Sequence, residues 1–84
     1  MNWVYVLKSK SDDNLYIGST LDLEKRLYYH NSGKVRSTKS RRPLEIIYKE
    51  QYCSATDARK RENFLKTGQG RKLLRGLIEG NLII

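Results

Sequence analysis

The segment Trp3–Lys8 (WVYVLK) limits the fold of this chain more than any other stretch. Its β-branched and aromatic residues read as a strand, in which successive side chains face opposite ways. Trp3, Tyr5 and Leu7 then share one face, and Val4 and Val6 share the other. Both faces are apolar, so both must be covered, and helices are the elements expected to cover them. Ser11–Asn14 (SDDN) has turn chemistry. Leu15–Ser19 (LYIGS) reads as the returning strand of a hairpin.

Thr20-Leu21-Asp22 opens a helix expected to run to Asn31, with Gly33 as its stop. Ser32–Pro43 (SGKVRSTKSRRP) is a polar, basic loop with little periodicity, and Leu44–Gln51 (LEIIYKEQ) is a third strand. Ser54-Ala55-Thr56-Asp57 resembles a helix start with an acidic first turn, and this second helix is expected to reach Lys66. Gly68 and Gly70 mark a break before a third helix, Arg71–Glu79, in which Gly76 is a weak point. Asn81–Ile84 is expected to be a tail packed on the body. The element order is β-β-α-β-α-α. A chain of 84 residues has room for one domain spanning 1–84, with a thin core.

Seventeen Lys and Arg against nine Asp and Glu leave a formal charge of +8. So large an imbalance on a short chain points to a polyanionic partner, nucleic acid first and an anionic membrane surface second. The membrane reading is weak. No apolar run approaches the roughly 20 residues a span needs, and the basic helices lack an aromatic and leucine-rich insertion face. Cys53 is the single cysteine, so an intrachain disulfide is excluded. One cysteine and one histidine also exclude a structural zinc site. The N-terminus carries no signal-peptide pattern, and a cytoplasmic protein is expected.

Several polar residues stand where structure alone does not require them. On a helix advancing about 100° per residue, Leu23, Leu27 and His30 share a face with Arg26 at its edge. Arg26 and His30, one turn apart, can both point into one cleft. A histidine near a helix C-terminus is also favoured simply by the helix dipole. Glu62 projects from a stripe set by Ala55, Ala58 and Leu65, and a carboxylate there needs a partner. A salt bridge to Arg26 and coordination of a metal both satisfy it, and the residues alone do not choose between them. Tyr5 and Tyr16 lie on the two strands of one hairpin and can approach each other, although tyrosine is also an ordinary strand residue. Gly18 leaves space beside Tyr16 for a close approach.

The pattern Val4-Tyr5, Tyr16-Ile17-Gly18, Arg26, His30 and a distant Glu62 resembles the GIY-YIG nuclease family over nearly the whole chain. The second signature is intact, while the first reads Trp3-Val4-Tyr5. The segments LYIGSTLDLEKRLYYHNSGK and RRPLEIIYKE look especially like the small stand-alone bacterial members. The resemblance implies an α+β fold, a three-stranded antiparallel sheet flanked by helices, with the active site on one sheet face. It implies that Tyr5 and Tyr16 contact the attacking water or scissile phosphate and that Arg26 stabilises phosphate charge. It further implies that His30 orients or deprotonates the nucleophile and that Glu62 binds a single divalent ion, Mg²⁺ or Mn²⁺. Two positions depart from the pattern. Ser19 follows the YIG motif where repair-type relatives carry lysine, and Asn81, in the tail, is no counterpart of the C-terminal asparagine of several relatives. Either departure would fit slower or partner-dependent cleavage.

The chemistry agrees with these implied roles. A phosphodiester transition state gathers negative charge, which an arginine and a metal stabilise, and Mg²⁺ needs only one or two protein carboxylates. A phenol with a free pKa of about 10 is a weak base at neutral pH. Metal and Arg26 must lower it or His30 must take the proton, and the sequence leaves both routes open. Lys34, Arg36, Lys39, Arg41 and Arg42, with Arg71 and Lys72, are expected to track a DNA backbone without reading bases. A solvated charged loop is the bland alternative for the five cations of the loop. The function expected is a divalent-metal-dependent DNA endonuclease, structure-selective or weakly sequence-specific, serving repair or recombination. The alternatives are a catalytically silent nucleic-acid-binding module and a nuclease that cuts only with a targeting protein partner. The sequence leaves the oligomeric state open.

Overall fold

A computed structural model describes the backbone of residues 1–83 and the side chains of residues 1–80. Three strands, β1 (Asn2–Ser9), β2 (Leu15–Thr20) and β3 (Leu44–Tyr52), form an antiparallel sheet in the order β2-β1-β3. Helix α1 (Leu23–Asn31) follows β2, and α2 (Ala55–Leu65) and α3 (Gly68–Ile83) follow β3. This is the expected α+β architecture in the expected order.

Four consecutive β1 residues, Val4 to Leu7, are buried, because helices cover both faces of the sheet. Val4 and Val6 pack with Ile17, Ala58, Leu65 and Leu74 under α2 and α3. Tyr5 and Leu7 pack with Leu44, Leu23, Leu27 and Ile46 under α1. A fully buried leucine such as Leu65 or Leu74 contributes about 1.5–3 kcal/mol, so each thin layer rests on a few side chains. A bulge between Val6 and Leu7 shifts the register against β3.

Local chemistry sets the ends of the elements. The β1–β2 turn closes around Ser9, whose hydroxyl accepts from the amides of Ser11 and Asp12 and donates to the Arg41 carbonyl at 2.6 Å. Asp22 caps α1 by accepting from the Lys25 amide, and Ser54 caps α2 by accepting from Asp57. Helix α1 ends at Ser32, and Gly33 takes a positive φ of 82° that a Cβ would strain. The Asn31 side chain accepts from the Leu44 amide and donates to the Leu44 carbonyl, tying the end of α1 to the start of β3.

Four expectations need correction. The basic stretch 32–43 is not plain loop. It contains a 3₁₀ turn at Lys39–Arg41 and buries Thr38 completely. Ala55 is exposed, so the stripe of α2 that meets the sheet is Ala58 and Leu65, flanked by half-buried Arg61 and Glu62. Gly68 and Gly70 do not break the chain before Arg71 but form the first turn of α3. The Gly70 amide donates to Thr67 Oγ1, and a Cβ on Gly70 would lie 1.9 Å from the Phe64 carbonyl oxygen. Glycine is therefore needed for close approach of two helices, and helix propensity yields to packing. The third helix does not stop at Glu79: its backbone continues through Ile83, so residues 81–83 are helix and not the expected tail, and the packing of the 81–84 side chains lies outside the described residues.

Gly70→Ala should cost about 2 kcal/mol or more, since the clash is with backbone. In a domain of this size that lowers the thermal midpoint by roughly 10 °C, measurable by circular dichroism. An unchanged midpoint would show that the α2–α3 junction does not need the glycine.

Candidate active site

The cleft lies at the β2 edge of the sheet. Tyr5 and Gly18 are paired across β1 and β2, and Tyr16 sits opposite Leu7, one alternation away on the same face. The Tyr5 ring crosses over Gly18 so closely that a Cβ there would lie 2.5 Å from the phenolic oxygen. Glycine thus lets the Tyr5 hydroxyl reach the edge of the sheet. The Tyr5 and Tyr16 ring centroids are 6.4 Å apart.

Helix α1 brings two side chains to that hydroxyl. Arg26 Nε donates to it at 3.3 Å, and His30 Nε2 lies 3.0 Å from it. His30 is fully buried, edge-on to both tyrosines, with Nδ1 2.8 Å from Thr38 Oγ1. Helix α2 covers the opposite sheet face, yet Glu62 reaches the same edge. Ser19 follows Gly18 and by strand alternation points towards α2, where its hydroxyl donates to Glu62 Oε1 at 2.6 Å. Lys66 Nζ donates to Oε2 at 2.7 Å. Tyr5, Tyr16, Gly18, Ser19, Arg26, Arg59, Glu62 and Asn63 line a polar cleft of about 290 Å³.

Four of the five residues singled out in the sequence therefore share one cleft, and the fifth, His30, stands behind Tyr5 and meets the cleft through the phenol. The salt bridge considered between Glu62 and Arg26 does not form. Arg26 bonds Tyr5, and Glu62 is satisfied by Ser19 and Lys66. Ser19, Thr38, Arg59 and Asn63 were not singled out as site residues. Helical spacing from Glu62 reveals Arg59 and Lys66, but nothing local distinguishes Thr38, which reaches His30 by a tertiary contact.

Burial and charge settle the protonation states. Burial pushes the Tyr5 phenol above its usual value, opposed by the Arg26 hydrogen bond and aided by Tyr16 and the Glu62 charge. Burial, with Arg26 nearby, lowers His30 to about 4, so its ring is neutral at neutral pH. For Glu62 burial alone would raise the carboxyl, but the bonds from Lys66 and Ser19 and the Lys66 and Arg59 charges outweigh it. The net shift is downward, and Glu62 is ionised. Bonding to Tyr5 strengthens the hold of Arg26 on its proton.

No group of three or more His, Cys, Asp or Glu side chains that could hold a metal occurs among the described residues. A lone ionised carboxylate at an open polar cleft does fit one hard divalent ion that keeps most of its waters. Glu62 is the carboxylate of the cleft that could hold it, and an ion there would compete with the Lys66 ammonium for Oε2.

The expected backbone-tracking cations are dispersed. Arg36, Lys39 and Lys72 are exposed. Lys34 lies over the Tyr29 ring, Arg41 is 4.0 Å from Asp12, and Arg42 Nε donates to the Lys39 carbonyl. Arg71 donates to the Lys66 carbonyl and lines a separate, largely apolar groove between the hairpin and α3. Cys53 is free and exposed, and no described helix is long and apolar enough to cross a membrane.

The family model described as the GIY-YIG catalytic domain matches residues 1–74. The chain is 39% identical over 80 residues to a UPF0213 protein of Staphylococcus saprophyticus, covering 94% of this chain and 96% of that protein. It is 42% identical over 67 residues to a UPF0213 protein of Clostridium perfringens, covering 79% and 71%. The solution NMR structure of a UPF0213 protein from Bacillus halodurans is similar with a TM-score of 0.56 and 31% identity, over 92% of this chain and 85% of that one.

The neutral, buried His30 makes stability fall with acid. Its folded pKa of about 4 lies below its ordinary value of 6.5. Between the two the unfolded chain binds a proton that the folded chain does not. Stability is therefore intact above about pH 6.5 and declines as pH drops towards 4. Because the chain has one histidine, urea midpoints across that window for wild type and His30→Gln isolate the effect. The variant should lose this slope; an equal slope in both would contradict the assignment.

Proposed function

The chain belongs to the GIY-YIG family, and on that footing we propose that residues 1–84 form one nuclease-like unit, a divalent-metal-dependent endonuclease hydrolysing DNA phosphodiester bonds. The family implies nuclease-type chemistry, and GIY-YIG nucleases generally use divalent ions. The observation that carries the reading is the convergence of Tyr5, Tyr16, Arg26 and Glu62 on one polar cleft, with His30 behind the phenol. No module for reading bases is evident in the chain, so structure-selective or weakly sequence-specific cutting in repair or recombination suits it. A cytoplasmic location accords with a DNA substrate.

In this reading a phosphate enters the cleft against Arg26, whose Nε is engaged by Tyr5 and whose remaining N–H groups can bond phosphate oxygens. A divalent ion held by Glu62, Mg²⁺ or Mn²⁺, would supply positive charge to the phosphate as negative charge builds. Tyr5 stays protonated at neutral pH, so it serves as a base only if its own proton leaves as another arrives. His30 Nε2, 3.0 Å away, is the acceptor for that proton. Water attacks phosphorus and gives a proton to the Tyr5 oxygen while the Tyr5 proton passes to His30. The bond to the leaving oxygen breaks, and that oxygen takes a proton from solvent. Tyr16 helps to hold the water. The exposed cations of the 32–43 loop hold the DNA backbone, and the net charge of +8 makes that binding strongly salt-dependent.

Glu62→Ala and Arg26→Ala should each lower cleavage by about 10²–10³-fold while DNA binding in chelator persists. The assay uses fluorescent junctions, flaps and bubbles with Mg²⁺ and Mn²⁺. Cleavage that survives excess chelator, or a fully active Glu62→Ala, would overturn the reading. Steeply salt-dependent binding without cutting would favour the silent module, and cutting only with an added protein the partner-dependent nuclease.

Gly18→Ala should lose roughly 10²-fold in rate, because the added Cβ displaces the Tyr5 hydroxyl. Its fold, followed by circular dichroism, should persist. Unimpaired cleavage by a folded Gly18→Ala protein would remove Tyr5 from the chemistry.

A further inference from the structure

Thr38 lies in the basic loop, is fully buried, and spends its hydroxyl on the one histidine of the chain. Counting protons around that histidine shows why. The Tyr5 hydroxyl has two polar neighbours, Arg26 Nε and His30 Nε2. Arginine can only donate, so the Arg26 bond occupies the phenolic oxygen as acceptor. Of the two side chains bonded to the phenol, His30 Nε2 is the one that can accept the phenolic proton.

A bare Nε2 in a neutral ring puts the proton on Nδ1, which donates to Thr38 Oγ1 at 2.8 Å. The Thr38 proton in turn points to the Val35 carbonyl at 3.5 Å, where the chain of bonds ends on the backbone. The opposite arrangement has Thr38 donating to Nδ1 and Nε2–H donating to Tyr5. It aims two donors at the phenolic oxygen and leaves the phenolic proton without an acceptor among the side chains around it, which is costly. The groups facing the imidazole are Tyr5, Tyr16, Arg26 and Thr38, none of them a carboxylate that could hold the ring in another form.

We infer that Thr38 is a positioning residue of this site, holding His30 in the Nδ1–H tautomer so that Nε2 stands free to receive the Tyr5 proton. The consequence for cleavage rests on the endonuclease reading; the tautomer does not. Through this bond the seating of the 32–43 loop decides whether Tyr5 has a proton acceptor behind it.

Because there is one histidine, long-range ¹H–¹⁵N NMR of uniformly labelled protein at neutral pH reports its tautomer without assignment ambiguity. Wild type should show the proton on Nδ1. Thr38→Ser, which keeps the hydroxyl, should show the same tautomer and near wild-type cleavage. Thr38→Val should move the ring towards the Nε2–H form and lower cleavage by roughly a hundredfold, with its fold checked by amide dispersion. Wild type with the proton on Nε2, or Thr38→Val with the wild-type tautomer, overturns the inference. If Thr38→Val does not fold, Thr38→Ala, which also removes the hydroxyl, must show the same move towards Nε2–H, and a wild-type tautomer there overturns the inference. A protein that shows the expected tautomers but never cuts DNA supports the role of Thr38 and counts against the endonuclease reading.

Discussion

The burial of β1 on both faces governs everything else in this molecule. Val4, Val6 and their neighbours need α2 and α3; Tyr5 and Leu7 need α1. With both faces of the sheet covered, a site open to a polymer must lie at an edge. Strands β2 and β3 are the two edges, and the cleft opens at β2. There, side chains from the two layers can meet around the strand: Tyr5, Tyr16 and Arg26 from the α1 side, Glu62 from the α2 side. Gly18 and Ser19 are the hinge of this arrangement. One clears room for the phenol, and the next turns the other way to hold the carboxylate.

A second polar cluster joins α2 to β3. The Glu50 carboxylate accepts from Tyr48 and Tyr52 at 2.6 Å each and from Arg61 at 2.9 and 3.1 Å. Burial opposes the charge on Glu50, but these bonds outweigh it and hold the carboxyl below its usual value. Burial, aided by the same carboxylate, pushes Tyr48 and Tyr52 up to about 12. Arg61 and Glu62 are adjacent, so they project on either side of the Ala58–Leu65 stripe. Arg61 is bonded to Glu50 of β3, and Glu62, on the other side of the stripe, meets Ser19 of β2. A half-buried ion pair contributes little net stability by itself.

Much of this was legible in the residues. Helix starts at Asp22 and Ser54 are written in capping chemistry, the hairpin in its turn residues, and the two-sided sheet in WVYVLK. The motif spacing picked out Tyr5, Tyr16, Arg26, His30 and Glu62, and the fold gathers them. The failures have a common cause. Gly68 and Gly70 looked like a break because glycine is a poor helix residue, but the close approach of α3 to the Phe64 carbonyl outweighs propensity. Ala55 follows the helical period and still faces solvent. Thr38 looked like one more polar loop residue.

What the order of residues determines without further help is local: which stretches are strand or helix, where caps lie, which faces are apolar, and how strongly the chain attracts a polyanion. These follow from backbone propensity, periodicity and net charge, none of which needs a partner distant in sequence. The partners of the ionisable groups were decided only in three dimensions. Glu62 takes Ser19 and Lys66 rather than Arg26, and His30 is held between Tyr5 and Thr38. The physical reason is that a hydrogen bond depends on distances of a few tenths of an ångström. Such distances arise only when strands and helices remote in the chain are packed against one another.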